Sequence, residues 1–296
     1  MDARAAMACE DGTDMSQDGK DIRPDDRVAG IRRYWDAHTL GLQYVSDHEV
    51  PVGSPEFFEH IRPWMNPYKF PWIMERIDSE ARVLAGKRLL EVGCGMGYDS
   101  LEFIRRGVRV TSVDLSPKAV EFCKRHFEVV EAEADEVKVD NALQLSFKDA
   151  SFDAVWSNGV LHASGDTQAA ISEVFRVLKP GGRAIISHFY RRPSWMYLIH
   201  TVGKANIEYE DEDPPVNEFY TESQIEEMFH QFDIVETFRE HHRALPVART
   251  GFKAVLYKMI FRPLYNLLPE SLAKRFAYKY SVIAVKPVHS GDVTAS

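Results

Sequence analysis

The stretch EVGCGMG, Glu91 to Gly97, follows the apolar run Arg88–Val92 and precedes a helical pattern over 98–106. Strand, Gly-rich turn and helix in that order open a βαβ unit, and such sheets bind ligands beyond the carboxyl ends of their strands. Gly93, Gly95 and Gly97 let the backbone turn tightly and approach a ligand without a Cβ in the way. The helix start aims its free N–H groups at the same place. A dinucleotide fingerprint needs glycine three positions after its second glycine. Here that position is Tyr98, which disfavours a nicotinamide or flavin site.

Outward from the loop, strands and helices alternate. Residues 108–114 form a second strand, and Ser116 caps a helix from Pro117 to about 126. Glu136–Val139 and 152–157 are the third and fourth strands. An amphipathic helix over 166–178 stops at Pro180-Gly181-Gly182, and 183–188 is the fifth strand. Residues 221–229 are helical, with Thr221 and Gln224 in a capping-box pattern. Residues 232–238 and 281–286 complete the set. This spacing predicts an α/β fold, Rossmann-like and doubly wound, with a mostly parallel seven-stranded sheet.

Two acidic positions sit where that fold binds ligands. Asp114 ends the second strand about 20 residues after the loop, where a ribose-binding acid belongs. Its carboxylate suits two ribose hydroxyls, and Ser116 already supplies the helix cap. Asp140 and Asn141 end the third strand, where an acid accepts from an adenine amino group and a backbone N–H donates to the ring. Either position alone also fits an ordinary turn. Three such elements at successive strand ends are harder to explain by turns.

The 296-residue chain has a net charge of −9 and a pI near 5.7, which speaks against general nucleic-acid binding. Cys9, Cys94 and Cys123 are widely spaced without a CxxC, so neither a disulfide framework nor a zinc site is expected, and the thiols fit a cytoplasmic protein. No metal site is expected: the acidic run 208–213 reads as an exposed loop. Residues 1–27 carry eight acidic and four basic side chains and read as a disordered tail, as does 289–296. Residues 28–85, rich in aromatic residues and Pro, read as a cap segment on a main domain of 86–288.

The stretches LLEVGCGMGYDSLEF (89–103), VTSVDLSPKAVEFCKRHF (110–127), DNALQLSFKDASFDAVWSNGVLHAS (140–164) and EVFRVLKPGGRAIIS (173–187) are similar to class I S-adenosylmethionine-dependent methyltransferases. With the looser matches YWDAHTLG (34–41) and NEFYTESQIEEMF (217–229), the chain most resembles the bacterial group related to ubiquinone and menaquinone methylases. The resemblance covers roughly residues 30–240 and implies a transferase using S-adenosyl-L-methionine as methyl donor. It implies that Gly93, Gly95 and Gly97 approach the methionine part and that Glu91 lies near its amino end. Asp114 would hold the ribose, and Asp140 with Asn141 the adenine. Ser157 and Asn158 would flank the sulfonium and the acceptor, with Leu143 as core or adenine packing.

The implied acceptor is a small molecule, lipophilic or quinone-like, methylated by in-line transfer. A small amine, thiol or thioether held through Arg191 or Arg192 is the alternative. A non-catalytic S-adenosylmethionine-binding regulator is the alternative class. If the acceptor must lose a proton, His162, His188 and Tyr190 are the candidate catalytic groups, and a structural role for each stays open. The side of the sheet on which His241 and His242 fall is undetermined. Trp35, Asp36 and His38 either cap the cofactor or cover the sheet edge. Residues 251–280 form an amphipathic insert before the last strand. Its Lys253, Lys258, Arg262, Lys274, Arg275 and Lys279 face one acid, Glu270. Such a segment rests on an anionic membrane, covers a lipophilic pocket, or packs on the domain with a solvated basic side.

Overall fold

The computed structural model describes residues 14–15, 21–22, 24–45, 50–201, 215–216, 218–240 and 255–288. Its main sheet contains β1 (Arg88–Val92), β2 (Arg109–Asp114), β3 (Glu136–Val139), β4 (Phe152–Asn158), β5 (Leu178–Arg191), β6 (Phe219–Tyr220), β7 (Asp233–Glu240) and β8 (Lys279–Val285). The spatial order is β3-β2-β1-β4-β5-β8-β7, with β6 beside the end of β5. All pairs are parallel except those of β8, which runs antiparallel to both β5 and β7. The sheet is thus the expected Rossmann-like one with a further short strand. β6 contributes only two residues, too few to carry a periodic signal.

Alternation of side chains along a strand places successive residues on opposite faces. Leu90, Val155 and Ile186 join one core with Ile171 and Val174 of α7 (Thr167–Val177) and Ile225 of α9 (Glu222–Met228). Their neighbours Leu89, Ala154 and Ile185 join the opposite core with Ile73 and Ile77 of α4 (Pro71–Leu84) and Phe103 of α5 (Tyr98–Ile104). Both faces are covered, as a parallel sheet requires. The helix signals act locally. The Ser116 hydroxyl accepts from the Ala119 N–H at the start of α6 (Pro117–Val129), and Thr221 and Gln224 form the capping box of α9.

Among the described residues before β1, the short antiparallel pair Asp14–Met15 and Asp21–Ile22 precedes four α-helices, of which Asn66–Lys69 is α3. In α1 (Pro24–Ala37), Asp36 accepts from the Ser116 hydroxyl at 2.5 Å and the Lys118 N–H at 3.3 Å, which pins α1 beside the end of β2. In α2 (Pro55–Ile61), Phe57, Phe58 and Ile61 pack on Met96 and Tyr98 beside the Gly-rich loop.

Between β7 and β8, a π-helical turn (Tyr257–Phe261) leads into the short helices Arg262–Asn266 and Glu270–Ala273. Tyr257, Tyr265 and Ala273 pack against Tyr190 of β5 and Trp195 of α8 (Trp195–Thr201). The run 208–213, His241, His242 and the first residues of the insert lie outside the described residues.

Candidate functional site

A cavity of about 450 Å³ opens along one edge of the sheet. The carboxyl ends of β1 to β5 meet there. Because β8 is antiparallel, its first residue, Lys279, reaches the same edge. The cavity receives Glu91, Gly93 and Gly95 from β1 and its loop, Asp114 from β2, and Asp140 and Asn141 after β3. Asn158 and His162 come from β4 and the turn after it, and His188 and Tyr190 from β5. Trp35, Trp64 and Phe70 cover it from the N-terminal helices, and Trp195, Tyr257 and Tyr278 from the other side. Gly97 and Ser157 are not among the lining residues.

The three glycines differ in what a side chain would meet. A Cβ on Gly93 would lie 2.1 Å from Val160 Cγ2, and one on Gly97 would lie 2.6 Å from Cys123 Sγ. Those two make room for protein. Gly95, at φ +52, lines the cavity and has nothing within 4 Å of the added Cβ, so of the three it is the one whose side-chain space is left open to a ligand.

Asp114 couples β2 to this loop. Its Oδ2 accepts from the Gly95 N–H and its Oδ1 from the Ser116 N–H, both at 2.9 Å. Burial raises its pKa, opposed by those two N–H groups. The Leu115 N–H also acts on it, and with about four lone-pair sites the carboxylate keeps acceptor capacity for a ligand hydroxyl. Asp140 is more committed. Its Oδ1 accepts from the Asn141 N–H at 2.9 Å, and its Oδ2 from the Ser146 N–H and hydroxyl at 3.1 and 2.8 Å. The Asn141 N–H, expected to meet a ring nitrogen, is thereby engaged by its neighbour.

Glu91 is buried and accepts from the Ser100 hydroxyl, which also pairs with the Ser112 hydroxyl at 2.6 Å. Burial, then the nearby Asp99 carboxylate, pushes Glu91 well above the usual carboxylate range and favours its neutral form. Asp99, which sequence reasoning missed, accepts from Trp156 Nε1 at 2.8 Å and Asn158 Nδ2 at 2.9 Å. Its signal was an acid in the first turn of the helix after the Gly-rich loop. The amide of Asn158 is thereby fixed with Oδ1 buried and no hydrogen-bond partner among the described residues. A buried acceptor of that kind calls for a donor from a ligand. Ser157 is fully buried and donates to the Val92 carbonyl at 3.0 Å, so it ties β4 to β1.

His162 lies against Tyr190, ring centroids 4.3 Å apart, with its buried Nδ1 unpartnered. Burial, then Lys279 and His188, brings its pKa to about 3. That is too weak for a base at neutral pH. His188 sits at φ +67, its N–H donating to Glu240 Oε1 at 3.1 Å. Its Nε2 is 2.6 Å from Glu240 Oε2 and its Nδ1 3.4 Å from Lys279 Nζ. Burial, then Lys279 and Lys69, holds His188 well below the usual range. A neutral ring accepting from Lys279 through Nδ1 fits this geometry.

Arg191 and Arg192 do not reach the cavity. The buried Arg191 guanidinium pairs with Glu222 and donates to the carbonyls of Pro193, Ala277 and Arg275. It fastens the insert to β5. Arg192 donates to Gln224 at 3.1 Å on the exposed side. A carboxylate clamp from this pair is therefore corrected. Of Trp35, Asp36 and His38, Trp35 lines the cavity, Asp36 holds α6, and His38 bonds the Tyr34 carbonyl at 2.9 Å.

Residues 90–186 match the Methyltransferase domain family. The ubiquinone biosynthesis O-methyltransferase of Xanthomonas oryzae pv. oryzae (strain PXO99A) is 34% identical over 144 residues, 48% of this chain and 57% of that protein. The 27-O-demethylrifamycin SV methyltransferase of Amycolatopsis mediterranei (strain S699) is 34% identical over 145 residues, 46% of this chain and 53% of its own length. The chain spans little more than half the length of these relatives. A Bacillus halodurans C-125 protein solved as a candidate methyltransferase superposes with a TM-score of 0.55 at 17% identity, over 72% of this chain and 98% of its own, and shares the fold. The motifs that build the cavity's β1–β4 edge fall within the matched segment, and residues 90–186 are a methyltransferase domain of the class I S-adenosylmethionine-dependent type, related to the quinone methylases.

Proposed function

We propose that the protein transfers a methyl group from S-adenosylmethionine to a small, lipophilic acceptor of phenolic or quinol character. The observation that carries this reading is the continuity of the cavity. It runs from Gly95, Asp114 and Asn158 to the aromatic wall of Tyr190, Trp195 and Tyr257 without a partition. The donor half fits the group: Gly95 leaves space, Asp114 has acceptor capacity, and the Asn158 Oδ1 awaits a donor. S-adenosylmethionine would supply an already activated methyl on its sulfonium.

What the chain must then do is hold the acceptor in line and exclude water. Trp35, Trp64, Tyr257 and Trp195 close the cavity from both sides. We assign His162 and Tyr190 to the acceptor wall, with no proton assigned to His162. The relatives carry names that specify a ubiquinone precursor pathway and a rifamycin acceptor, both consistent with an O-methylation of this kind.

We further read the insert as a lid that also touches the membrane periphery. Its Met259, Leu264 and Leu267 are 72%, 62% and 80% exposed, beside Lys258, Arg262, Lys274 and Arg275. The buried free thiols of Cys94 and Cys123 suit a cytoplasmic location. Among the described residues, no helix is long and apolar enough to cross a membrane. The deciding experiment supplies methyl-labelled S-adenosylmethionine and host metabolite extract. A labelled lipophilic ether is the expected product. Label on protein, on nucleic acid or nowhere counts against the reading.

A further inference from the structure

The donor half of the cavity carries its acids in a row along the sheet. Asp140 follows β3, Asp114 ends β2, and Glu91 belongs to β1, with Asp99 in the first turn of α5 beyond the Gly-rich loop. Glu91 and Asp99 are 3% and 6% exposed, and both line the cavity. Two routes tie them together. Ser100, next to Asp99 in the chain, donates to Glu91 and pairs with the Ser112 hydroxyl of β2 at 2.6 Å. Trp156, the β4 partner of Glu91 in the sheet, donates its Nε1–H to Asp99.

Asp99 accepts from the N–H groups of Trp156 and Asn158, and Glu91 from the Ser100 hydroxyl. Among the described residues neither carboxyl forms an ion pair with Lys, Arg or His. The groups that act on them from the packed elements are mostly acidic. Asp114 of β2 and the Cys94 thiol of the loop face Glu91, and Glu102 of α5 faces Asp99. Glu102 is itself held by Arg105, Arg106 and the Tyr68 hydroxyl. From the N-terminal helices, Asp36 acts on Asp114, and Lys69 lines the same cavity. Burial raises Asp99, opposed by its Asn158 and Trp156 donors, and Glu91 is raised further. Two neighbouring buried carboxyls that form no ion pair do not both ionise readily, so the free pair keeps a proton.

We propose that Glu91 and Asp99 form a proton-exchange site: the ammonium group of the methyl donor displaces one proton from the pair as it binds, and that proton leaves to solvent. The ammonium then stands where the proton stood, and the buried site keeps its charge balance. This rests on the proposed placing of S-adenosylmethionine in the cavity and assigns one end of the ligand. With the ribose on Asp114 of β2 and the adenine towards Asp140 after β3, the rest of the ligand runs the other way along the sheet, to Glu91 of β1 and Asn158 of β4. The sign of the linkage follows. The ligand binds the ionised pair, so its affinity rises with pH while the free pair still holds its proton, and levels off once that proton is lost.

The test uses the full chain and two uncharged thioethers, S-adenosylhomocysteine, which carries the amino-acid end, and 5′-methylthioadenosine, which lacks it. Calorimetry at about pH 6, in buffers of different ionisation enthalpy, counts the protons released while the ligand's own amino group stays charged. S-adenosylhomocysteine releases about one proton more than 5′-methylthioadenosine, and its affinity gains up to about tenfold more per pH unit. Any proton exchanged at Asp114 is common to both ligands and cancels. Glu91→Gln removes the difference, with 5′-methylthioadenosine affinity as the check on folding. Equal proton release by the two ligands overturns the exchange site and needs no variant. So does a difference that survives Glu91→Gln in a chain that still binds 5′-methylthioadenosine. Failure of both ligands to bind would instead strike the proposed function; that failure is read from the presence of binding heat, the other from its dependence on the buffer.

Discussion

Gly95 and Gly97 stand two residues apart in one loop, yet substitution separates them. Gly95→Ala adds a Cβ that meets no protein atom within 4 Å, so the fold keeps its midpoint to within the cost of a left-handed alanine, about 1–2 kcal/mol. The same methyl enters the ligand space, and S-adenosylmethionine affinity falls at least about tenfold. Gly97→Ala drives a methyl to 2.6 Å from the buried Cys123 Sγ, and the chief loss is thermal stability. Melting and calorimetry on both variants check the contrast; equal affinities would make the whole loop structural. Asp114→Ala removes a charged acceptor worth roughly 1.5–3 kcal/mol, so S-adenosylmethionine binds about ten- to a hundredfold more weakly. An unchanged affinity in a folded variant would remove Asp114 from the ribose. The place of Asp114 at the end of β2 beside the loop was legible because strand-end position and spacing are properties of contiguous sequence. The different tasks of the glycines were not, because they depend on Val160 and Cys123, which approach from other elements.

Helix α6 carries a titration that reports on the whole cap. His126 is buried, its ring stacked on Phe58 at 4.4 Å and its Nδ1 donating to the Met96 carbonyl at 2.9 Å. Burial lowers its pKa from 6.5 to about 4, so the folded chain holds it neutral where the unfolded chain would protonate it. Its contribution is therefore fully present above pH 6.5 and disappears as pH falls towards 4. Protonation of the unfolded form removes about 1.4 kcal/mol per pH unit in that window. Chemical denaturation at pH 7.5, 6, 5 and 4.5 checks this against His126→Gln, which lacks the slope. Parallel curves for the two proteins would show that His126 titrates normally. At this scale the helix starts were readable from Ser116 and Thr221, whose caps act within four residues. The strand ends were less so. β5 runs on to Arg191 and β7 to Glu240, past the last apolar residue of each pattern, and β8 starts at Lys279. Of the residues at those ends, His188, Tyr190 and Lys279 line the cavity, and only pairing with distant strands makes them strand. Arg191 misled for the same reason: its partners at 222 and 275–277 are far away in sequence.

Over the whole molecule, the donor half comes from residues 91–158 and the acceptor half largely from 162–196 and 257–279. A chain with 255–277 replaced by a short hairpin, carrying Arg191→Met so that no buried guanidinium loses its carbonyls, keeps S-adenosylmethionine affinity within about twofold, far less than the 1.4 kcal/mol of a tenfold change. It loses transfer to the identified acceptor. The intact protein sediments with anionic vesicles and is released by salt, because basic side chains flank exposed aliphatic ones; the hairpin variant stays in solution. Transfer at the undiminished rate by the hairpin variant would leave the segment as packing only. Vesicle binding that salt does not weaken would remove the electrostatic part.

β8 is the last of the described strands in sequence order, yet it lies inside the sheet, between β5 and β7. Among the described residues β7 pairs with no other strand, so its place in the sheet depends on β8. During synthesis the donor-side strands can assemble while β7 waits for its partner, until β8 leaves the ribosome and slides into the gap. A message cut short before codon 279 would therefore yield a chain that folds its cofactor edge, leaves a sticky strand exposed, and is marked for proteolysis or aggregation.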